Sequence, residues 1–255
     1  MKRDRLISSD FSKQLFSFRQ NVLKALKAIS FTQLDPAVWH EQIIPLASYA
    51  PWHTDVLFST VMKKIAKRTL VDIYRCYELW SLTNDLCSMD GDILEVGVWR
   101  GGTGFIMAEA NRKGKGRVIL ADTFSGVVNA GDQDTLYKGG EHSDVGIADV
   151  ETLFSSNGLT QWEIIQGVFP GSASQRHNEV KLKLCHIDVD TYISARDSFT
   201  WAWPRMLTGG VMVFDDYGFW GCEGVTKFVD SLSISDGIKI YNMNGHGLLV
   251  KTNRE

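Results

Sequence analysis

The sequence predicts an α/β fold: a mostly parallel, doubly wound, Rossmann-like sheet, closed by a C-terminal antiparallel hairpin and preceded by an N-terminal helical extension. Three observations carry this expectation. From residue 91 onward, short apolar runs alternate with amphipathic helical runs, the signature of parallel βαβ units. The first apolar run passes straight into a glycine-rich turn, Asp92-Ile-Leu-Glu-Val-Gly-Val-Trp-Arg-Gly-Gly-Thr-Gly104. A parallel strand delivers such a turn to the carboxyl end of the sheet, where ligands of open α/β sheets bind. The tail then changes character: Gly237–Tyr241 and Gly247–Lys251 are short strand runs joined by a turn-rich link, as in a hairpin.

Taken in order, residues 1–90 form the helical extension and residues 91–255 the ligand-binding domain. In the extension, Phe11, Leu15, Phe18, Val22, Leu23, Leu26 and Ile29 recur at helical spacing among lysines. That stripe predicts a helix packed on its own domain or on a second subunit, and with the aromatic-rich segment after it predicts a homo-oligomer. Pro36, Pro45 and Pro51 punctuate that segment, which holds Trp39, Tyr49 and Trp52. Thr69–Leu82 is a further amphipathic helix leading into the first strand. Strands are expected at Asp92–Val98, Arg117–Asp122, Trp162–Gln166, Leu182–Val189 and Gly210–Phe214. Helices are expected at Gly102–Arg112, Asp149–Ser156, Tyr192–Leu207 and Gly224–Leu232. A hairpin closing an otherwise parallel sheet is the arrangement of class I methyltransferases rather than of dehydrogenases.

Composition removes several function classes. The net charge of −3 gives a nucleic-acid partner no electrostatic support. No apolar run is long enough to span a bilayer, and Met1-Lys-Arg-Asp-Arg-Leu-Ile-Ser8 has no apolar stretch of a secretory signal behind it. Cys76, Cys87, Cys185 and Cys222 lie far apart without C-x-x-C spacing, which predicts free, mostly buried thiols in a reducing compartment. A cytoplasmic location follows as the expectation.

The glycine turn reads E-x-G-x-x-x-G-G rather than the dinucleotide G-x-G-x-x-G. Gly97, Gly101, Gly102 and Gly104 let the backbone close around a ligand. Glu95, two residues before the first glycine, suits a cationic or hydroxyl-bearing ligand better than a phosphate. Both points favour S-adenosylmethionine, with its positive sulfonium and its ribose. Asp122 ends the second strand in Leu120-Ala-Asp-Thr-Phe-Ser-Gly126, where a carboxylate can accept hydrogen bonds from the ribose hydroxyls.

A second constellation is sharper. His186-Ile-Asp-Val-Asp-Thr-Tyr192 ends one strand and Met212-Val-Phe-Asp-Asp-Tyr217 ends the next. Asp188, Asp190, Asp215 and Asp216 therefore converge on one rim, where they repel unless a cation neutralises them. Oxygen-rich sites of this kind suit Mg²⁺. Strand alternation is expected to put Asp188 and Asp190 on one face. His186 reads as a core histidine. The glycine-rich loop 125–146, with His142, has the length of an active-site lid. Trp99, Tyr192, Tyr217 and Trp220 could wall a sugar or an aromatic ring.

As an ordered set, Thr69–Trp80, Glu95–Gly102, Asp122–Gly126, His186–Asp190 and Gly209–Gly218 resemble the macrocin-type O-methyltransferases, which act on antibiotic deoxysugars. The resemblance runs from about residue 69 to the end of the chain and implies an enzyme dependent on S-adenosylmethionine and Mg²⁺. It implies that Asp188, Asp215 and Asp216 ligate the metal and that Asp190 is the general base. It assigns the methyl donor to Glu95, Gly97, Gly101, Gly102 and Thr103, and to Asp122, Thr123 and Phe124. Gly167, Val168 and Phe169 would lie near the adenine. The run Phe169-Pro-Gly-Ser-Ala-Ser174 and the lid depart from the family pattern, so the acceptor's identity does not carry over beyond a sugar or glycosylated small molecule. The rival readings are a nicotinamide dehydrogenase, a non-catalytic nucleoside binder, and a metal-dependent glycosyltransferase using Asp188-Val189-Asp190 as a D-x-D motif.

Overall fold

Five strands rich in Ile, Leu and Val make the parallel part of one sheet: β1 (Asp92–Val96), β2 (Val118–Asp122), β3 (Trp162–Gln166), β4 (Leu182–Ile187) and β5 (Met206–Phe214). Two more, β6 (Gly237–Ile240) and β7 (Gly247–Lys251), complete the order β3-β2-β1-β4-β5-β7-β6. β7 pairs antiparallel with both β5 and β6, so one strand runs against the rest, as the turn-rich tail predicts. The computed structural model describes residues 9–27, 49–171, 177–242 and 244–253, in two compact units, Met1–Ala50 and Pro51–Glu255. Residues 51–90 thus share a unit with the sheet.

Alternation along the strands assigns the two faces. Ile93, Val118, Leu120, Leu184, Val211 and Val213 turn to one apolar layer. That layer is filled by α2 (Val56–Lys64), α3 (Ile73–Asp85), α4 (Gly102–Ala110) and α5 (Ile147–Ser156). Leu94, Val96, Ile119, Cys185, Met212 and Phe214 turn to the other, against α6 (Tyr192–Ala202) and α7 (Glu223–Ser231). The result is the three-layer arrangement that parallel sheets need, since both faces must be covered. Asp55 caps α2 by accepting from the Phe58 N–H at 2.9 Å, and its other oxygen accepts from Trp80 Nε1 at 3.1 Å. One aspartate therefore both starts α2 and joins it to α3.

Several expected boundaries move for local reasons. The helix predicted over Tyr192–Leu207 ends at Ala202, where Pro204 falls in a 3₁₀ turn, Trp203–Arg205. Proline cannot donate to a continuing helix, and Leu207 is already in β5. β1 and β4 end at Val96 and Ile187 rather than at Val98 and Val189. Asp188 and Asp190 thus lie beyond β4, and Asp190 has φ +62°, so strand alternation is not what relates them.

In the first unit, α1 (Ser9–Lys27) leaves Phe16 and Phe18 exposed. The side chains of Phe11, Leu15, Leu23 and Leu26, and Ile29, Pro36, Trp39 and Pro45, lie outside the described residues. Among the described residues no helix is long and apolar enough to cross a membrane. The four cysteines are free, and Cys87 alone among them is not buried.

Core burial makes one contrast measurable. Leu79 on α3 has no exposed surface, whereas Leu57 on α2 is 71% exposed. Leu79→Ala is expected to cost about 2–5 kcal/mol of unfolding free energy in urea titrations, and Leu57→Ala no more than about 0.5 kcal/mol. Equal losses at both positions would contradict this packing.

Candidate active site

The first strand–helix turn shapes one wall of the site. Gly97 has φ +86°, and a Cβ there would stand 1.7 Å from the Asp188 carbonyl oxygen, so only glycine lets β1 and β4 release their loops side by side. The turn is then gathered by Asp122 at the end of β2. Asp122 Oδ2 accepts from the Val98 and Trp99 N–H groups at 2.6 and 2.9 Å, and Oδ1 from the Phe124 N–H at 2.6 Å. A carboxylate oxygen offers two lone pairs, so Oδ1 keeps capacity for a ligand hydroxyl.

These loops border a cavity of about 350 Å³ at the carboxyl ends of the strands, within the range of small-molecule sites. Of the residues proposed for the methyl donor, Gly97, Thr103, Asp122, Thr123, Gly167 and Phe169 line it. Asp188, Asp190, Asp215 and Asp216 line it too. Gly101, Gly102, Phe124 and Val168 are not among its walls. Gly101 is the left-handed N-cap of α4, and Gly102 backs on Arg68, where a Cβ would stand 2.5 Å from the carbonyl oxygen.

Glu95 requires a correction. Alternation puts it on the same face as Ile93, beneath α4, fully buried and away from the cavity walls. Its Oε1 lies 3.1 Å from Nδ1 of His186, its register partner on β4, and Oε2 has no hydrogen-bond partner. Gly104 makes room for it, since a Cβ there would be 2.5 Å from Oε2. Glu95 therefore supports the turn from behind, with its carboxylate out of a ligand's direct reach. His186 is a core histidine with no exposed surface, as its apolar strand predicts.

The acid cluster forms where two loops meet. Asp188, Asp215 and Asp216 each present an oxygen, and these atoms lie within 4.8 Å of one another. Burial and then the neighbouring Asp215 and Asp216 charges push the Asp188 carboxyl well above its usual range. Burial and the Asp216 charge push Asp190 up to about 7. Asp216 is likewise raised, by burial and Asp215. Burial acts on Asp215 in the same direction, but His246, His186 and Arg75 outweigh it and hold that carboxyl below its usual range. Three crowded carboxylates in a shared cavity are the donor set a hard divalent cation takes, and the residues fit one.

Part of the expected neutralising charge comes from the chain itself. Arg75 of α3, 4% exposed, bridges Asp215 Oδ1 and Asp216 Oδ1 through one nitrogen, Nη1, at 2.6 and 2.9 Å. Asp72 holds its Nε at 2.9 Å, and Phe219 lies against the guanidinium at 4.3 Å from the ring centre. His246, between β6 and β7, has Nδ1 2.5 Å from Glu78 Oε2 and Nε2 2.9 Å from Asp215 Oδ1. Sequence reasoning did not find Arg75, Glu78 or His246. The available signal was the i, i+3, i+6 spacing of Asp72, the N-cap of α3, with Arg75 and Glu78.

The loop over residues 125–146 also contributes. Val127, Val128, Tyr137 and His142 line the cavity. His142 sits with its ring centre 5.7 Å from Trp99 and 6.0 Å from Tyr137. The loop's far end is tied down by Asp144, which accepts from Trp99 Nε1 at 2.8 Å and from Arg100. Trp99 and Trp220 line the cavity. Tyr192 instead packs on Phe228, and Tyr217 donates its hydroxyl to Asp230.

The macrocin O-methyltransferase (TylF) family model matches residues 61–245, a range that holds the glycine turn, Asp122, Arg75 and all four aspartates of the cluster. The chain is 32% identical over 190 residues to mycinamicin III 3″-O-methyltransferase of Micromonospora griseorubida, covering 68% of this chain and 72% of that protein. It is 31% identical over 165 residues to 8-demethyl-8-(2,3-dimethoxy-alpha-L-rhamnosyl)-tetracenomycin-C 4′-O-methyltransferase of Streptomyces olivaceus, covering 58% of this chain and 61% of that protein. In three dimensions it matches the O-methyltransferase NovP with a TM-score of 0.62 at 24% identity, over 73% of this chain and 83% of NovP. The sheet order and antiparallel closure agree with that class I methyltransferase fold. The dehydrogenase and glycosyltransferase readings of the same loops fall away. The chain belongs to the TylF macrocin O-methyltransferase family and is an S-adenosylmethionine-dependent O-methyltransferase.

Proposed function

We propose that this enzyme is Mg²⁺-dependent and methylates a hydroxyl of a sugar or glycosylated small molecule, with Asp190 as general base. The observation that carries this reading is the clustering of Asp188, Asp215 and Asp216 beside Asp190 in the cavity bordered by the donor loop. Asp188, Asp215 and Asp216 would hold the cation. When bound, Mg²⁺ supplies Lewis acidity that lowers the pKa of a coordinated hydroxyl and favours an acceptor with two vicinal oxygens. Sugar acceptors are further suggested by the names of the two relatives.

The chain's own residues then have definite tasks. Asp122 accepts the ribose hydroxyls, while Gly97 and Thr103 frame the donor's amino-acid end. Gly167 and Phe169 border the adenine. Asp190 removes the acceptor proton as the methyl group moves. An ordinary aspartate, titrating near ~3.9, is a weak base for an alcohol, so burial beside other carboxylates suits Asp190 to the task. Trp99, His142 and Tyr137 close the cavity on the lid side and exclude water. Fixing the acceptor oxygen in line with the methyl group provides much of the acceleration.

Two outcomes test the assignment. Asp190→Asn is expected to lower methyl transfer by about 10²- to 10⁴-fold while calorimetry shows donor affinity unchanged. Near wild-type turnover would remove Asp190 as the base. Asp122→Ala is expected to weaken S-adenosylmethionine binding by about 10- to 100-fold, the worth of charge-assisted hydrogen bonds. Wild-type donor affinity in that variant would place the ribose elsewhere. The parent activity is measured with Mg²⁺ and with EDTA, and full activity in EDTA would overturn the metal requirement.

A further inference from the structure

Among the described residues, Arg75 and His246 both meet Asp215 at the same oxygen. Arg75 Nη1 stands 2.6 Å from Oδ1 and His246 Nε2 stands 2.9 Å from it. Arg75 also takes Asp216 by its Oδ1, at 2.9 Å, while Asp216 Oδ2 lies 3.5 Å from Cys222 Sγ. His246 is completely buried. Its Nε2 approaches Asp215 without the alignment of a hydrogen bond, whereas Nδ1 is tightly held by Glu78. Glu78 is in turn anchored: Asn242 Nδ2 lies 3.0 and 3.1 Å from its two oxygens, and Asn244 Nδ2 lies 3.5 Å from Oε2. A chain of contacts therefore runs from α3, through the link between β6 and β7, to the end of β5.

We propose that His246, backed by Glu78, is a positioning residue: it holds Asp215 by its Oδ1 edge and so fixes how that carboxylate would be presented to a cation. The inference rests on the metal reading given above. A carboxylate can rotate about its terminal torsion, which is broad and nearly two-fold. Holding one oxygen from behind restricts that freedom, and both basic contacts fall on Oδ1 rather than Oδ2. Partners that hold a ligating carboxylate from behind orient it in this way, and their loss costs about 10- to 100-fold in metal affinity. Arg75 acts beside them by holding Asp215 and Asp216 together. His246 differs from Arg75 in serving Asp215 alone.

The test is Mn²⁺ binding to the full chain, followed by electron paramagnetic resonance and calorimetry, in wild type, His246→Ala, His246→Gln, Glu78→Gln and the His246→Gln/Glu78→Gln double variant. His246→Ala is expected to weaken Mn²⁺ by about 10- to 100-fold with S-adenosylmethionine affinity retained. His246→Gln, which keeps one donor, is expected to recover part of that loss. The two glutamine substitutions act through one contact chain, so the double variant should lose less than the product of the single losses. Unchanged Mn²⁺ affinity in the histidine variants, or losses that multiply, would overturn the clamp while the metal reading stands. Loss of donor binding together with Mn²⁺ binding in both histidine variants would make His246 merely structural and also overturn it. A wild-type chain that binds no Mn²⁺ would overturn the metal reading and the clamp together. If His246→Ala does not fold, His246→Gln and Glu78→Gln decide the question.

Discussion

Four carboxylates crowded at one end of a buried sheet are the constraint around which this structure is arranged. Asp188, Asp190, Asp215 and Asp216 leave adjacent strands within a single cavity, where repulsion and desolvation act together. The chain relieves this cost from one side. α3 inserts Arg75 against Asp215 and Asp216, and the turn before β7 brings His246 against Asp215. Among the described residues Asp188 and Asp190 receive no comparable cation, and both carboxyls are held above their usual range. All four carboxylates line the cavity, which is where an external cation would complete the balance.

The same demand explains why α3 belongs with the catalytic unit. Its apolar face, with Cys76 and Leu79, packs into the helix layer. Asp72, Arg75 and Glu78 lie at three-residue intervals and reach the carboxyl rim. Helix burial and charge balance are therefore supplied by one element. Removing α3 would expose the core and take Arg75 from both Asp215 and Asp216, leaving His246 against Asp215 alone.

Much of this was legible in the residues. Apolar strand runs alternating with helices gave the sheet, because period-two burial and strand-end glycines are local signals. The acid cluster was visible because each pair ends a recognisable strand. Glu95 was misassigned because its spacing to Gly97 suggests a ligand contact, while the strand's pleat turns it beneath α4. The end of α6 was overextended past Pro204, where apolar periodicity continued but the backbone donor was lost. The spacing of Asp72, Arg75 and Glu78 is a local signal, but the partners of Arg75 and His246 were not legible, since Arg75 meets Asp215 across 140 positions and His246 meets Glu78 across 168. No local pattern encodes such pairings; the sheet order creates them.

The account stands or falls on a cation among Asp188, Asp215 and Asp216. The most direct measurement is anomalous diffraction from crystals grown with Mn²⁺ and S-adenosylhomocysteine. A single strong anomalous peak in contact with those three carboxylates, with the ribose hydroxyls on Asp122, is the expected result. A cavity that binds the nucleoside with no peak there, and with Arg75 alone bridging Asp215 and Asp216, would contradict it.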